Sequence, residues 1–421
     1  MDLGTSGCRA VAISESAEII AQARTDLPAP RRVESRGVEQ DPHLWWAAAL
    51  LVLRELSTSL GSHKPVGLCL DGTSATLMLC APNGKPLGPA LMYNDTRSDL
   101  EAERIAQAAP ADSPARGAGS SLAKALYLAR ILKPPQGTLA LHQADWLLGR
   151  LTGRFGVSDW NNALKLGYDP VSQRWPGWVS RLMPKNLRLP RVYPAGSIVG
   201  QLGKASAFAA GLPEGMPIAV GTTDSTAAVI ATGARYPGDA VTCLGSTLVL
   251  KILARHPLAS PEHGVYSHRL GDLWLAGGAS NSGGAVLRRF FDDARMAKLS
   301  TQLNPDAPTG LDYYPLPAPG ERFPVSNPTM QPRLSPRPAD DVRFFQGMLE
   351  GIASVEQAGY RLLRSLGAPP TTRVLSIGGG ANNAGWTRIR QRMLGVTVDA
   401  VAGQEAAYGA ALLARRSTAN T

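Results

Sequence analysis

With 421 residues, 44% of them hydrophobic, and 44 Gly and 33 Pro, the chain is too long for one core and too apolar for disorder, so two globular domains are expected. A formal charge of +10 raises nucleic acid as a partner, yet Lys and Arg are scattered in runs of no more than two, without the clustered basic face such binding requires. Neither the four cysteines nor the six histidines show metal spacing, and neither a membrane-length apolar run nor a secretion signal occurs. A cytoplasmic protein without zinc, disulfides, nucleic acid or membrane among its partners is predicted.

In chain order, Asp2, Leu3, Gly4, Thr5 and Ser6 read as a short strand and a phosphate-type turn, followed by a hairpin over 10–14 and 18–23. The chain opens at Met1-Asp2, so a clipped first strand, from truncation or a late start, and fraying beside Asp2 are expected. Asp41-Pro42 supplies an N-cap with proline in the first turn, and 45–56 continues as an apolar-faced helix ended by Gly61. A strand over 66–70 runs into Asp71, Gly72, Thr73 and Ser74, and 75–80 is extended. Tyr93, Asn94, Asp95, Thr96 and Arg97 precede a polar helix, and 141–153 reads as another. Pro217 to Val220 has strand character, Gly221, Thr222 and Thr223 form a turn, and Asp224 opens a run of small helix formers. A third strand and polar turn covers 240–244 and Gly245, Ser246 and Thr247. The recurrence of strand and small polar turn at the head of each half suggests a duplicated unit. The segment 303–340 is Pro-rich and irregular. A long amphipathic helix over 344–366, a strand over 373–377, a glycine loop from Gly378 to Asn383 and a last helix over 405–416 complete the chain.

Glycine turns backed by Thr or Ser suit phosphate, because their backbone N–H groups can converge while the hydroxyl adds a donor. Each such turn alone is more often ordinary. Asp224 has two readings, a helix N-cap or a base held at a strand-to-helix turn. Trp386 likewise either stacks on a base or fills the core. No P-loop, protein-kinase or dinucleotide fingerprint is present.

These stretches together resemble the FGGY carbohydrate kinases of the actin, Hsp70 and sugar-kinase superfamily. Asp2 to Ser6 resembles the family's first phosphate motif, and Gly245, Ser246 and Thr247 its second. Ser376 to Asn383 with Trp386 is similar to its adenosine motif, 405–411 to its C-terminal connecting helix, and 211–224 to the segment carrying the catalytic aspartate. Within the family, the Asp71 to Ser74 and Tyr93 to Arg97 segments and the short length look most like compact D-ribulose kinases of cyanobacterial and plant type. Xylulokinases tend to carry Met-His where Gly72-Thr73 stand.

The resemblance implies two α/β domains of the ribonuclease H-like kind, 1–223 for sugar and 224–421 for nucleotide, flanking a cleft and hinged near 222–240. It implies ATP and Mg²⁺, with Asp224 as catalytic base and Asp2 and Asp224 at the metal. Asp2, Ser6, Gly7, Cys8, Arg9, Ser74 and Asp224 are expected on the sugar side. Gly4, Thr5, Gly245, Ser246, Thr247, Asn281, Gly379, Gly380, Ala381, Asn382, Asn383 and Trp386 are expected around ATP. The activity implied is phosphorylation of D-ribulose to D-ribulose 5-phosphate. The alternatives are a D-xylulose or polyol kinase of the same family, or a non-catalytic actin-like nucleotide or sugar sensor.

Overall fold

The computed structural model describes residues 1–401 and 405–418. Two compact units emerge, Met1–Ala231 joined by Gln404–Thr421, and Thr232–Gly403. The division therefore falls after Ala231 rather than after residue 223, and the last helix, expected in the C-terminal domain, is part of the first unit.

In the first unit, one four-stranded sheet runs in the order Ile19–Asp26, Gly7–Ile13, Asp2–Leu3, Asp71–Gly72. The first three strands are antiparallel neighbours, whereas Asp71–Gly72 lies parallel to Asp2–Leu3 with Asp2 opposite Asp71. On the far side, Leu68–Cys69 pairs in parallel with Pro217–Ala219, and Gly72 bridges Thr223. Three parallel segments thus reach the same edge. The expected fraying is not found: Met1 is buried and its ammonium donates to the Cys69 carbonyl at 2.8 Å.

The hairpin alternates, with Cys8 and Ala10 facing the core and Arg9 exposed, as a half-buried antiparallel strand must. The helix Pro42–Ser59 starts as anticipated, Asp41 accepting from the His43 N–H, and buries Trp45, Val52 and Leu53. The last helix, Ala406–Thr418, packs on the helix Asp224–Ala231. Their approach is so close that a Cβ on Gly409 would lie 1.9 Å from the Ala227 carbonyl oxygen. A second, six-stranded sheet contains Thr138–His142 beside Leu77–Cys80. Here the helix expected over 141–153 resolves into the end of that strand and the helix Gln143–Thr152, because both faces of 138–142 are buried and give no period to read.

The second unit is built on one six-stranded sheet, in the order Tyr266–Leu270, Leu273–Ser280, Leu248–Ala254, Asp239–Leu244, Arg373–Ile377, Thr397–Ala400. Its central strand pairs antiparallel with Leu248–Ala254 and parallel with Arg373–Ile377. That repeats the antiparallel-then-parallel order of the first unit, which is the duplication the recurring turns suggested. The helix Asp341–Ser365, N-capped by Asp340, buries Phe344, Phe345, Met348 and Ile352 in this unit's core. Inside lies an ion pair with no exposure: the Arg390 guanidinium donates twice to Glu356, at 2.6 and 2.7 Å, and once to Ser376.

Candidate functional sites in the two units

The first unit gathers three carboxylates at the carboxyl edge of its parallel segments. Register sets Asp2 beside Asp71, and the Gly72–Thr223 bridge brings Asp224 to the next position. Ligands collect at such edges because the strands end there and helix N-termini begin. Asp71 is fully buried, and neither of its carboxylate oxygens nor Asp2 Oδ1 accepts a hydrogen bond. Burial, then the neighbouring Asp2, raise the Asp71 carboxyl well above the ordinary carboxylate range, with Asp224 adding to the effect and the Met1 ammonium opposing it. Orphaned, buried carboxylate oxygens are the hard donors a divalent cation takes, so these residues fit Mg²⁺. Among the described residues, no group of three or more His, Cys, Asp or Glu is arranged as a metal cluster.

Asp224 is the first residue of the helix Asp224–Ala231 and is half-buried, its Oδ1 accepting the Ser225 N–H at 2.6 Å. The capping role falls one residue earlier. Thr223 accepts the Thr226 and Ala227 N–H groups through its carbonyl, and its hydroxyl lies 2.9 Å from that of Thr226. Asp224 thus stands inside the first turn rather than at the residue before it, and its own carboxylate takes the Ser225 N–H. Its carboxylate stands at the positive end of the helix, which favours the anion.

The other residues expected on the sugar side divide. Ser6 and Arg9 are exposed and Gly7 is half-buried, but Cys8 is buried in the core, where burial pushes its thiol up to about 12. Cys8 thus lines no surface, since alternation turns it opposite to Arg9. Arg9 reaches Glu405 at 3.0 Å and stands 3.9 Å from Asp2. Gly4 and Thr5 shape the turn, closed by the Gly4 N–H on the Gly7 carbonyl at 2.9 Å. Ser74 is half-buried, held between Thr73, which the Gln143 carboxamide oxygen fixes, and Ala75, whose φ is +64°. Asp71 and Gln143 were not singled out from sequence as site residues. The resemblance quoted Asp71 only as part of a motif, and Gln143 lies in a stretch whose strand was not read.

The second unit holds a cavity of about 860 Å³. One wall is the Gly245–Ser246 turn with Gly284. The other comprises Gly379, Gly380, Asn382, Asn383 and Trp386, with Leu287, Met296, Ser300 and Phe345 between them. Gly378 has φ +87°, and a Cβ there would sit 2.8 Å from the Leu244 carbonyl oxygen, so only glycine lets this loop lie against the central strand. Asn383 caps the helix Ala384–Leu394 by accepting the Trp386 N–H, and donates to Ser300. The Trp386 ring is buried under Gly380 and its Nε1 donates to the Leu349 carbonyl, so of its two readings the core one holds, with an edge at the cavity.

Gly4 and Thr5 belong to the first unit, and of the nucleotide residues expected in the second, three stand outside the lining. Ala381 is buried. Thr247 closes the turn by accepting the Gly245 N–H through its carbonyl. Asn281 is tied to the Gly320 carbonyl and the Glu321 carboxylate. Arg288, paired with Asp293 at 3.3 Å, lines the cavity and carried no sequence signal, being one of many scattered arginines. Among the described residues, no helix is long and apolar enough to cross a membrane.

Comparison with known proteins adds the following. Residues 1–231 match the N-terminal domain of the FGGY family of carbohydrate kinases, and residues 240–418 its C-terminal domain. The xylulose kinase of Escherichia coli K12 is 26% identical over 439 residues, covering 99% of this chain and 89% of the relative. That of Streptomyces rubiginosus is 26% identical over 449 residues, covering 98% and 86%. The crystal structure of a "xyloylose kinase" from Brucella ovis superposes with a TM-score of 0.88 at 24% identity, over 100% of this chain and 90% of that one. With both domain families matched end to end on a fold that repeats one sheet order in two units, the chain belongs to the FGGY family of carbohydrate kinases and is an ATP-dependent sugar kinase.

Proposed function

We propose that the protein transfers the γ-phosphoryl group of ATP to the terminal hydroxyl of D-ribulose, giving D-ribulose 5-phosphate, with Asp224 as general base. The observation that carries the chemistry is the convergence of Asp2, Asp71 and Asp224 on one sheet edge. A sugar hydroxyl is a weak nucleophile near neutral pH, so a carboxylate within hydrogen-bond reach must take its proton as it attacks. Asp224 accepts that proton at the first turn of its helix, whose positive end attracts a carboxylate. Asp2 and Asp224, beside the orphaned oxygens of Asp71, would hold Mg²⁺. When bound, the metal neutralises charge on the transferring phosphoryl group. In the second unit, the Gly245–Ser246 turn lines the 860 Å³ cavity that takes the adenosine against the Gly379–Gly380 loop; in the first, the Gly4–Thr5 turn offers the Thr5 hydroxyl and N–H to phosphate, the Gly4 and Gly245 N–H groups being used to close their own turns.

Support for D-ribulose comes from the Asp71 to Ser74 and Tyr93 to Arg97 segments, which resemble those of D-ribulose kinases. A second reading, D-xylulose, is favoured by the relatives named xylulose kinase. Sugar hydroxyls of opposite hand are separated by hydrogen bonds that a wrong epimer leaves unpaired, so the two substrates should differ clearly in kcat/KM. A panel of pentuloses, pentoses and glycerol with ATP, Mg²⁺ and coupled ADP detection decides between them. ADP release with D-ribulose at no more than the sugar-free rate refutes the substrate assignment, and a higher kcat/KM for D-xylulose replaces it.

A further inference from the structure

The helix Ser121–Leu132 carries Lys124 into the interior, where it has no exposure at all. Its Nζ lies within hydrogen-bond reach of three main-chain carbonyls, Ala75 at 2.8 Å, Met92 at 2.7 Å and Tyr93 at 3.2 Å, while burial lowers the amine to about 7. A buried ammonium is costly, and folds retain one where its hydrogen bonds do something a methylene cannot. Lys124 joins two turns of the chain, at Ala75 and at Met92 and Tyr93. One carries Ser74, and the other leads into the exposed Tyr93 and Asn94.

Ser74 stands between two clamps. On its N-terminal side Gln143 Oε1 accepts from the Thr73 N–H and hydroxyl, at 2.9 and 2.8 Å. On its C-terminal side Ala75 is held at φ +64°, a conformation a non-glycine residue keeps only when its surroundings enforce it. The Lys124 bond to the Ala75 carbonyl is that enforcement. The other segment is anchored below by Asp95, buried, which accepts the Val38 N–H and three N–H groups of Arg97. The strands adjoining these segments, Leu77–Cys80 and Ala90–Leu91, pair at Leu77 and Leu91, and Lys124 adds a link beyond that pairing, between the turns themselves.

We infer that Lys124 is a positioning residue for sugar recognition, fixing the spacing between Ser74 and the Tyr93–Asn94 loop so that their hydroxyl and amide groups meet adjacent hydroxyls of a polyol chain. The inference rests on the sugar-kinase reading of the first unit. It predicts that losing the Lys124 donors weakens the sugar complex and leaves the cavity of the second unit unchanged.

The test compares wild type with Lys124→Met, which keeps the stem and removes the donors, and Lys124→Arg, which restores cationic donors. For Lys124→Met the expected result is a sugar KM raised by about 10-fold or more, with the ATP KM and kcat within about 3-fold, as for a ground-state positioning loss. Lys124→Arg is expected to recover part of that rise. Hydrogen exchange on the same proteins should show amides of 73–76 and 93–97 losing protection in Lys124→Met while the strand Leu77–Cys80 keeps its own. An unchanged sugar KM overturns the inference. So does a collapse of kcat and both KM values with protection lost throughout the unit, which marks a purely structural lysine. A wild-type protein that turns over no sugar sinks the kinase reading instead, and hydrogen exchange alone then decides whether Lys124 holds the two loops.

Discussion

Replacing Asp71 by Asn should make the metal-free protein more stable. In the wild type both Asp71 oxygens are buried without a donor and face a second carboxylate, Asp2. The amide cannot ionise, and it offers an N–H to Asp2 at every pH, as the Asp71 carboxyl does only while protonated. A hydrogen bond to a charged acceptor contributes about 2 kcal/mol. For a unit of this size each 1 kcal/mol moves the transition by roughly 2–4 °C, so the gain is about 4–8 °C at neutral pH without divalent cations. The sign with pH follows from the raised carboxyl. A carboxyl whose folded pKa is raised contributes stability that is complete below its unfolded value of 3.8 and lost as pH rises through the folded value. Wild type and variant should therefore converge below about pH 3.8 and part as pH increases. Thermal unfolding followed by circular dichroism, in chelator from pH 4 to pH 8, reads this directly. About 10 mM Mg²⁺ should raise the wild-type transition and leave the variant's nearly unmoved, since only the wild type keeps the full set of anionic donors. A variant less stable than wild type at neutral pH, or a gain of the same size at pH 4, refutes the reasoning that the acids repel one another in the empty site.

Asp224→Asn should lower kcat by about 10²-fold or more with nucleotide affinity nearly kept, because a general base is lost while the second-unit cavity is untouched; steady-state rates and nucleotide titration check this. Equal turnover would remove Asp224 from the mechanism. Glu356→Ala leaves the Arg390 guanidinium buried and uncompensated, and should cost about 3–5 kcal/mol in chemical denaturation; a loss under about 1 kcal/mol contradicts the burial of that pair. Asp239 is lowered from 3.8 to about 2, first by its hydrogen bonds from Arg373. That lowering is at most about 2 kcal/mol, and the 37% exposure of the Arg373 side chain reduces it to about 1 kcal/mol. Its stabilisation should be full above pH 4 and fade as pH falls toward 2, so Asp239→Asn should flatten the acid limb of the stability curve.

What could be read without coordinates was local and periodic. The hairpin, the Asp41 cap, the long helix from Asp341 and the strand Arg373–Ile377 announce themselves because capping residues, alternation and amphipathic spacing are properties of consecutive residues. The phosphate-type turns and Asp224 were legible for the same reason. Pairing decided the rest. Asp71 joins the candidate site only when a parallel register lays it against Asp2, across nearly seventy residues of intervening chain. Cys8 leaves the site because its strand turns it inward, and Trp386 keeps only an edge at the cavity because a glycine lets the loop close over its ring. Side-chain direction and non-local register depend on which surfaces meet, and that information is distributed over the whole chain rather than written in any stretch of it.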